Sequence, residues 1–398
     1  MAVSDRDLIL LPDWLIDGSG RQLPHGHAAR ISGALIKDIG PLERLDQSSA
    51  QLLRLSGQSL MPGLFDCHGY LSVDPSRPDP MGGMHGSDLI DRAWTSARHL
   101  RIDLNSGVTS MRVMGEGHGL DYRARDAIRR GSLDGPGLIC SGTPVCPTHS
   151  HQAAPSGGAD GVDAVRRAVR QRIAEGADWL KLVVTGGVNA PGERATTALY
   201  DEAEVTAAMQ EATRVGLPVA VAAHGGPAIE LCARLGARTF EHCALFDEAS
   251  LEAVIASDAT MVLTLSRFFR PDGIELSGRD VPGVRARLER ARKCLSAIIP
   301  KALSRGARLA VGSDNMHGLL AEEAYWLCQF GATASQAVAS LTGRGAEAAG
   351  AAGRTGDLRP GLAADLVAFA GNPLHDVAML RQPSGVMKEG RFVAAITG

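Results

Sequence analysis

SLMPGLFDCHGY, residues 59–70, decides how this chain is read. Its apolar run, with Leu60 and Met61, passes Pro62-Gly63 and stops at Asp66-Cys67-His68-Gly69-Tyr70. A buried strand ending in polar side chains is the pattern of an α/β barrel, which keeps its chemistry at the carboxyl ends of its strands. Seven more short apolar runs follow: VTSMRVM (108–114), GLICSG (137–142), WLKLVVTG (179–186), PVAVAAH (218–224), RTFEHC (238–243), TMVLTLS (260–266) and ARLAVGSD (307–314). Helix-like segments separate most of them, at 88–106, 121–131, 160–176, 200–216, 227–236, 247–257 and 284–306. Several begin near Asp or Pro and end at Gly, residues that favour helix boundaries. Eight strands alternating with helices predict a (β/α)8 barrel over residues 59–355, closed by helices at 319–331 and 333–351.

The flanks read differently. Residues 1–58 form short strand-like pieces separated by Gly and polar turns, and residues 356–398 return to the same pattern. Pairing the two termini in one small β-sandwich is the economical arrangement. A length of 398 residues suits a barrel with such an accessory layer. Hydrophobic residues at 44% and charged residues at 21% are ordinary for a soluble globular protein. The net charge of -3, with no basic block, gives no electrostatic support for binding nucleic acid or an anionic membrane. The amino terminus lacks the basic region of a signal peptide, and no run approaches a membrane span. Seven scattered cysteines without a CxxC pair point to free thiols in a reducing cytoplasm. The expected partner is a small-molecule substrate, and the sequence leaves a homo-oligomer open.

Strand ends supply the candidate chemistry. His68 comes from the first strand, Lys181 from the fourth, His224 from the fifth, His242 from the sixth and Asp314 from the eighth. Imidazoles and an aspartate converging at one barrel mouth suit Zn²⁺ or a similar divalent ion. Each has an ordinary explanation: a strand cap for His68, a core histidine for His242, a turn or helix cap for Asp314. Together they are hard to obtain by chance. Lys181 lies inside WLKLVV, where burying an ammonium is costly. Either a carboxylate such as Glu241 pairs with it, or burial lowers its pKa, and a neutral amine can take up CO₂ to become a carbamate ligand. In CPTHSHQ, His149 and His151 offer a metal ligand or a polar rim, and Arg112 offers a substrate-carboxylate clamp or a structural ion pair. No nucleophile elbow, P-loop or dinucleotide fingerprint is present.

MPGLFDCH, GVTSMR, AIRRGSLDGPGLICSG, GADWLKLVVTGGV, FEHC, VGSDN and GDLRPGLAADLVAFAGNPL occur in this order over nearly the whole chain. In these motifs the sequence resembles the amidohydrolase superfamily, most closely the branch of Xaa-Pro dipeptidases and related metallo-carboxypeptidases. The resemblance implies a metal-dependent hydrolase with a carboxylated lysine, on a barrel joined to a β-sandwich. The metal pattern is incomplete. The family's His-x-His is His68-Gly69-Tyr70 here, and the first imidazole of its HAHG motif is replaced by Ala222. His224 then matches the second, substrate-facing imidazole, unless a local shift brings it to the metal. His68, Lys181, His242 and Asp314 are the ligands the resemblance retains. The expected activity is hydrolysis of an amide or related C–N bond in a small carboxylated molecule. One divalent ion per chain, Zn²⁺ by donor type, would assist, with none as the alternative. Asp314 would move the proton, Tyr70 would face the oxyanion, and His151, His224 and Arg112 would orient substrate. Two alternatives stand beside it. One is metal-poor acid–base chemistry at the same residues (cyclisation, isomerisation, elimination or decarboxylation). The other is a non-catalytic binding protein.

Overall fold

The computed structural model describes residues 7–77, 80–153, 157–190 and 195–394. Four strands open the chain: β1 (Asp7–Leu15), β2 (His27–Ser32), β3 (Leu35–Pro41) and β4 (Ala50–Pro62). Eight short strands follow: β5 (Leu64–Gly69), β6 (Val108–Val113), β7 (Gly137–Cys140), β8 (Leu180–Val183), β9 (Val219–Ala223), β10 (Thr239–His242), β11 (Thr260–Leu263) and β12 (Arg308–Val311). The tail adds β13 (Leu366–Ala370), β14 (Pro383–Lys388) and β15 (Arg391–Ala394).

The two termini share one seven-stranded sheet of order β15-β14-β13-β4-β1-β2-β3. Its seam is the antiparallel pairing of β13 with β4, Leu366 opposite Pro62 and Ala370 opposite Gln58. Leu10, Leu15, Ile31, Leu55, Leu60, Leu366 and Met387 form its core. Residues 59–70 are therefore not one strand. Residues 59–62 finish β4, and the next strand begins at Leu64. Leu60 packs in the terminal-sheet core while its neighbour Met61 packs in the central one, as the period of a strand requires. At Gly63 the chain passes between sheets so close to β6 that a Cβ would meet the Thr109 hydroxyl at 2.2 Å. β4 thus runs past residue 58, to Pro62.

β5 to β12 run parallel, in a three-stranded sheet (β5-β6-β7) and a five-stranded sheet (β8 to β12). Single bridges join the two sheets, Gly69 with Asp314 and Val145 with Leu182. At the first, Asp314 N donates to His68 O (2.8 Å) and Tyr70 N to Asp314 O (3.2 Å). The fold is thus mixed α/β. Its helices cover the strands where the sequence places them, among them Leu89–Asn105, Leu120–Arg129, Val162–Ala174, Glu202–Arg214 and Val284–Ser304. Caps explain their starts. Asp88 and Asp247 accept from backbone N–H groups, and Asp201 with Glu204 forms a capping box. Gly176 and Gly216 end two of them with φ of 80° and 70°, which other residues adopt at a cost. No helix among the described residues is long and apolar enough to cross a membrane.

Alternation along the short strands sorts their side chains. Leu180, Leu182, Val219, Val221, Met261 and Leu263 pack in the main core. The intervening positions hold Ala220, Val262 and Ala310, with Phe65 and Cys67, in a second cluster. Lys181 and Arg112 occupy such intervening positions, and both are buried.

Candidate active site

Glu241, the third residue of β10, anchors the site from below. Its Oε2 lies 2.7 Å from His68 Nδ1, and its Oε1 accepts from Arg112 Nη2 at 2.7 Å and Thr239 Oγ1 at 2.5 Å. With Nδ1 tied to a carboxylate, the His68 proton belongs there, and Nε2 is left bare. That Nε2 is buried and has no hydrogen-bond partner. Burial holds the imidazole far below its ordinary pKa, so it is neutral.

Arg112 is not a substrate clamp. Its guanidinium is fully buried, donates to Cys67 O, Thr239 Oγ1 and Glu241, and lies 4.5 Å from the Trp179 ring centroid. The carboxylate it holds is an internal one. Lys181 does not take Glu241 as its partner. Its Nζ donates to Tyr70 Oη at 2.7 Å and to Met114 O at 2.5 Å. Burial lowers its pKa to about 8, against the opposing pull of Asp314 and Glu241. Burial also raises the Tyr70 phenol, with Asp314 adding to the effect, so Tyr70 keeps its proton.

His242 closes β10 with its Nδ1 2.9 Å from Thr264 Oγ1. Its ring lies 4.6 Å from that of His68 and stacks 5.1 Å from that of His224. His224 follows β9, is buried, and has an Nδ1 without a partner. His151 likewise leaves a buried Nδ1 unpaired, and burial lowers its pKa to about 4. A Cβ at Gly187 would meet His151 Nε2 at 2.8 Å, so the glycine makes room for the ring. His149, its neighbour in the loop, is exposed.

Asp314 projects beyond β12. His242, Cys243 and Asp314 hold φ of 72°, 53° and 58°, a region non-glycine residues seldom occupy. Backbone strain thus gathers at two strand ends, a pattern that active sites share. Arg267 faces Asp314, with Nε 3.9 Å from Oδ2. Sequence reasoning missed Arg267. The run TMVLTLS is a strand only to Leu263, and a short helix, Leu265–Phe269, begins at once and turns Arg267 inward. The strand-end rule that found His68 would have found Arg267 had that helix been foreseen. Its side chain is buried and its Nη1 has no partner. Glu323 clamps the helix by accepting from Leu265 N, Ser266 N (2.8 Å) and the Ser266 hydroxyl.

His68, His242, Asp314 and Lys181 offer donors of the kind a divalent ion takes. His68 has the posture of a metal ligand, a bare imidazole nitrogen backed by a carboxylate. His242 and Asp314 stand beside it. Lys181, with its pKa near 8, can present the neutral amine that carboxylation needs. Among the described residues no three His, Cys, Asp or Glu side chains form a ready cage. As a plain amine Lys181 leaves the set a ligand short, and Tyr70 and Ala222 supply no imidazole for a second ion.

Residues 59–393 match the amidohydrolase family model. Ochratoxinase of Aspergillus niger is 27% identical over 415 residues, covering 95% of this chain and 84% of that protein. Its crystal structure superposes with a TM-score of 0.87, at 25% identity over 97% of this chain and 95% of that one. A Xaa-Pro dipeptidase with methionine bound in its active site gives a TM-score of 0.86, at 26% identity over 98% of this chain and 100% of that one. The chain belongs to the amidohydrolase family, and it is an amidohydrolase-type enzyme acting on C–N bonds.

Proposed function

We propose that the protein hydrolyses an amide bond in a small molecule bearing a carboxylate. The observation that carries this reading is the pair of buried, unpartnered groups in one site, His68 Nε2 and Arg267 Nη1. An unpaired buried donor or acceptor costs about 1–3 kcal/mol, which a ligand recovers. We read the two parallel sheets as one closed (β/α)8 barrel with the two single bridges as its seams. The terminal sheet, wrapped on its own core, stands for the β-sandwich. The strand ends then face a common mouth.

His68, His242, Asp314 and a carboxylated Lys181 would hold one divalent ion, Zn²⁺ by donor type. Such an ion, when bound, polarises a carbonyl and lowers the pKa of a water. The chain's own groups do the rest. Asp314 takes a proton from the attacking water and returns it to the leaving nitrogen. Tyr70, still protonated, donates to the carbonyl oxygen as charge develops on it. Arg267 pairs with the substrate carboxylate through its free Nη1. His151 and His224, both neutral, offer their unpaired Nδ1 atoms to the substrate's polar groups.

A second reading draws on the contact of Lys181 with Tyr70 and Met114 O. If Lys181 stays an amine, the same residues form a metal-poor acid–base site for elimination, isomerisation, cyclisation or decarboxylation. Turnover of a panel of dipeptides and N-acyl amino acids tests the hydrolytic reading. Asp314→Asn should lower hydrolysis roughly 10²–10⁴-fold with the fold intact. A wild-type rate in that variant would remove Asp314 as the base.

A further inference from the structure

A groove of about 920 Å³ lies at the opposite end of the central strands, between the starts of β5, β6 and β7 and the β14–β15 hairpin. Seven cations line it against three carboxylates, Asp134, Asp365 and Glu389. The chain as a whole is net negative, so the charge balance is inverted here. Arg101, Arg129, Arg130, Arg354 and Arg391 are exposed on its walls. None of these five has an ion-pair partner among the described residues. The other two cations are paired: Arg125 with Asp178 at 2.8 Å, and Lys388 with Asp365 at 2.9 Å. Lys388 also reaches Glu389 at 3.3 Å, which leaves Asp134 as the groove's uncommitted carboxylate.

Helix ends explain part of this. Arg129 closes the helix Leu120–Arg129 and Arg130 caps it, where a cation meets the negative end of the helix dipole. Arg354 lies in a loop and Arg391 on a strand, so no single helix end gathers all five. Arginines from four segments converge without ion-pair partners, and their potentials add within one concave surface. The guanidinium fork matches phosphate oxygens. One wall also presents apolar surface, with Phe392 41% and Val393 38% exposed.

We propose that this groove binds a small molecule carrying consecutive phosphates, held by Arg129, Arg354 and their neighbours. The groove is bounded rather than a continuous basic stripe, which favours a small polyanion over a nucleic-acid strand. Calorimetric titration of the full chain at about 0.15 M salt, where surface charges are screened beyond ~8 Å, tests it. The probes are inorganic tripolyphosphate, adenosine triphosphate and a ten-nucleotide single strand. The proposal expects saturable binding of tripolyphosphate, weakened roughly tenfold or more in Arg129→Glu/Arg354→Glu and unchanged in the distant Arg285→Glu. Should the double variant not fold, Arg101→Ala/Arg391→Ala carries the same expectation. Tighter binding of adenosine triphosphate, lost in Phe392→Ala, would assign the phosphates to a nucleotide. Equal binding of the two would assign them to an oligophosphate alone. No saturable binding of either phosphate probe, binding indifferent to the arginine variants, or preference for the oligonucleotide would overturn the proposal.

Discussion

Lys181 is a fully buried amine. In the metal-stripped protein its amine is an ammonium that the interior disfavours. Its folded pKa, about 8, lies below the ordinary 10.5, so between these values the unfolded chain binds more protons and stability rises with pH. The penalty is fully present below pH 8 and is relieved towards pH 10.5. Lys181→Met should therefore raise the melting temperature of stripped protein at pH 7, by a margin that shrinks as pH climbs past 8. A margin that grew with pH would mean that Lys181 is not held as a disfavoured cation. In metal-loaded protein, Lys181→Ala should lose the ion, and short carboxylic acids should restore part of it. Unchanged metal content would refute the carbamate. His68, His242 and Asp314 could be picked out because each stands at or near the end of an apolar run, and Lys181, second of four residues in β8, because it is a charge inside one. Arg267 could not be, and the sequence left Arg112 open between a substrate clamp and a structural ion pair. Arg112, the fifth of six residues in β6, faces Glu241. Arg267 reaches the site only because a helix starts where the run seems to continue.

That short helix also matters as an element. Leu265–Phe269 has one turn and no side-chain cap of its own, so Glu323 from a later helix supplies one. Glu323→Ala should cost about 1–3 kcal/mol through the lost buried hydrogen bonds. It should also raise KM more than it lowers kcat, since it displaces Arg267 while leaving Asp314 in place. An equal loss in kcat would mean that the helix positions the reacting groups themselves. The passage from β4 to β5 is a second such element. Gly63→Ala should destabilise the protein by about 1–3 kcal/mol in urea unfolding, with partial recovery in a Thr109→Ala background. No destabilisation would mean that β6 yields easily. The sequence showed the eight runs and their order. It did not show that residues 59–62 belong to a different sheet, because an apolar run crossing from one sheet to the next has no internal marker except the glycine.

Across the whole molecule, both termini meet in one sheet, and the candidate site and the arginine groove lie at opposite ends of the central strands. Alternation and turn residues in the flanks announced a β-rich layer. The resemblance of ordered motifs announced the family. What neither could announce was the 2.7 Å contact between Tyr70 and Lys181, residues 111 positions apart. Hydrolysis as proposed needs a site that accepts one divalent ion. The direct test is metal stoichiometry by elemental analysis. It is made on protein purified without added metal or chelator, and again after incubation with Zn²⁺ and bicarbonate, for wild type and for Tyr70→His/Ala222→His. The expected result is about one ion per wild-type chain and a gain in the double variant, which regains both imidazoles. No ion in reconstituted wild type, or two, would contradict it.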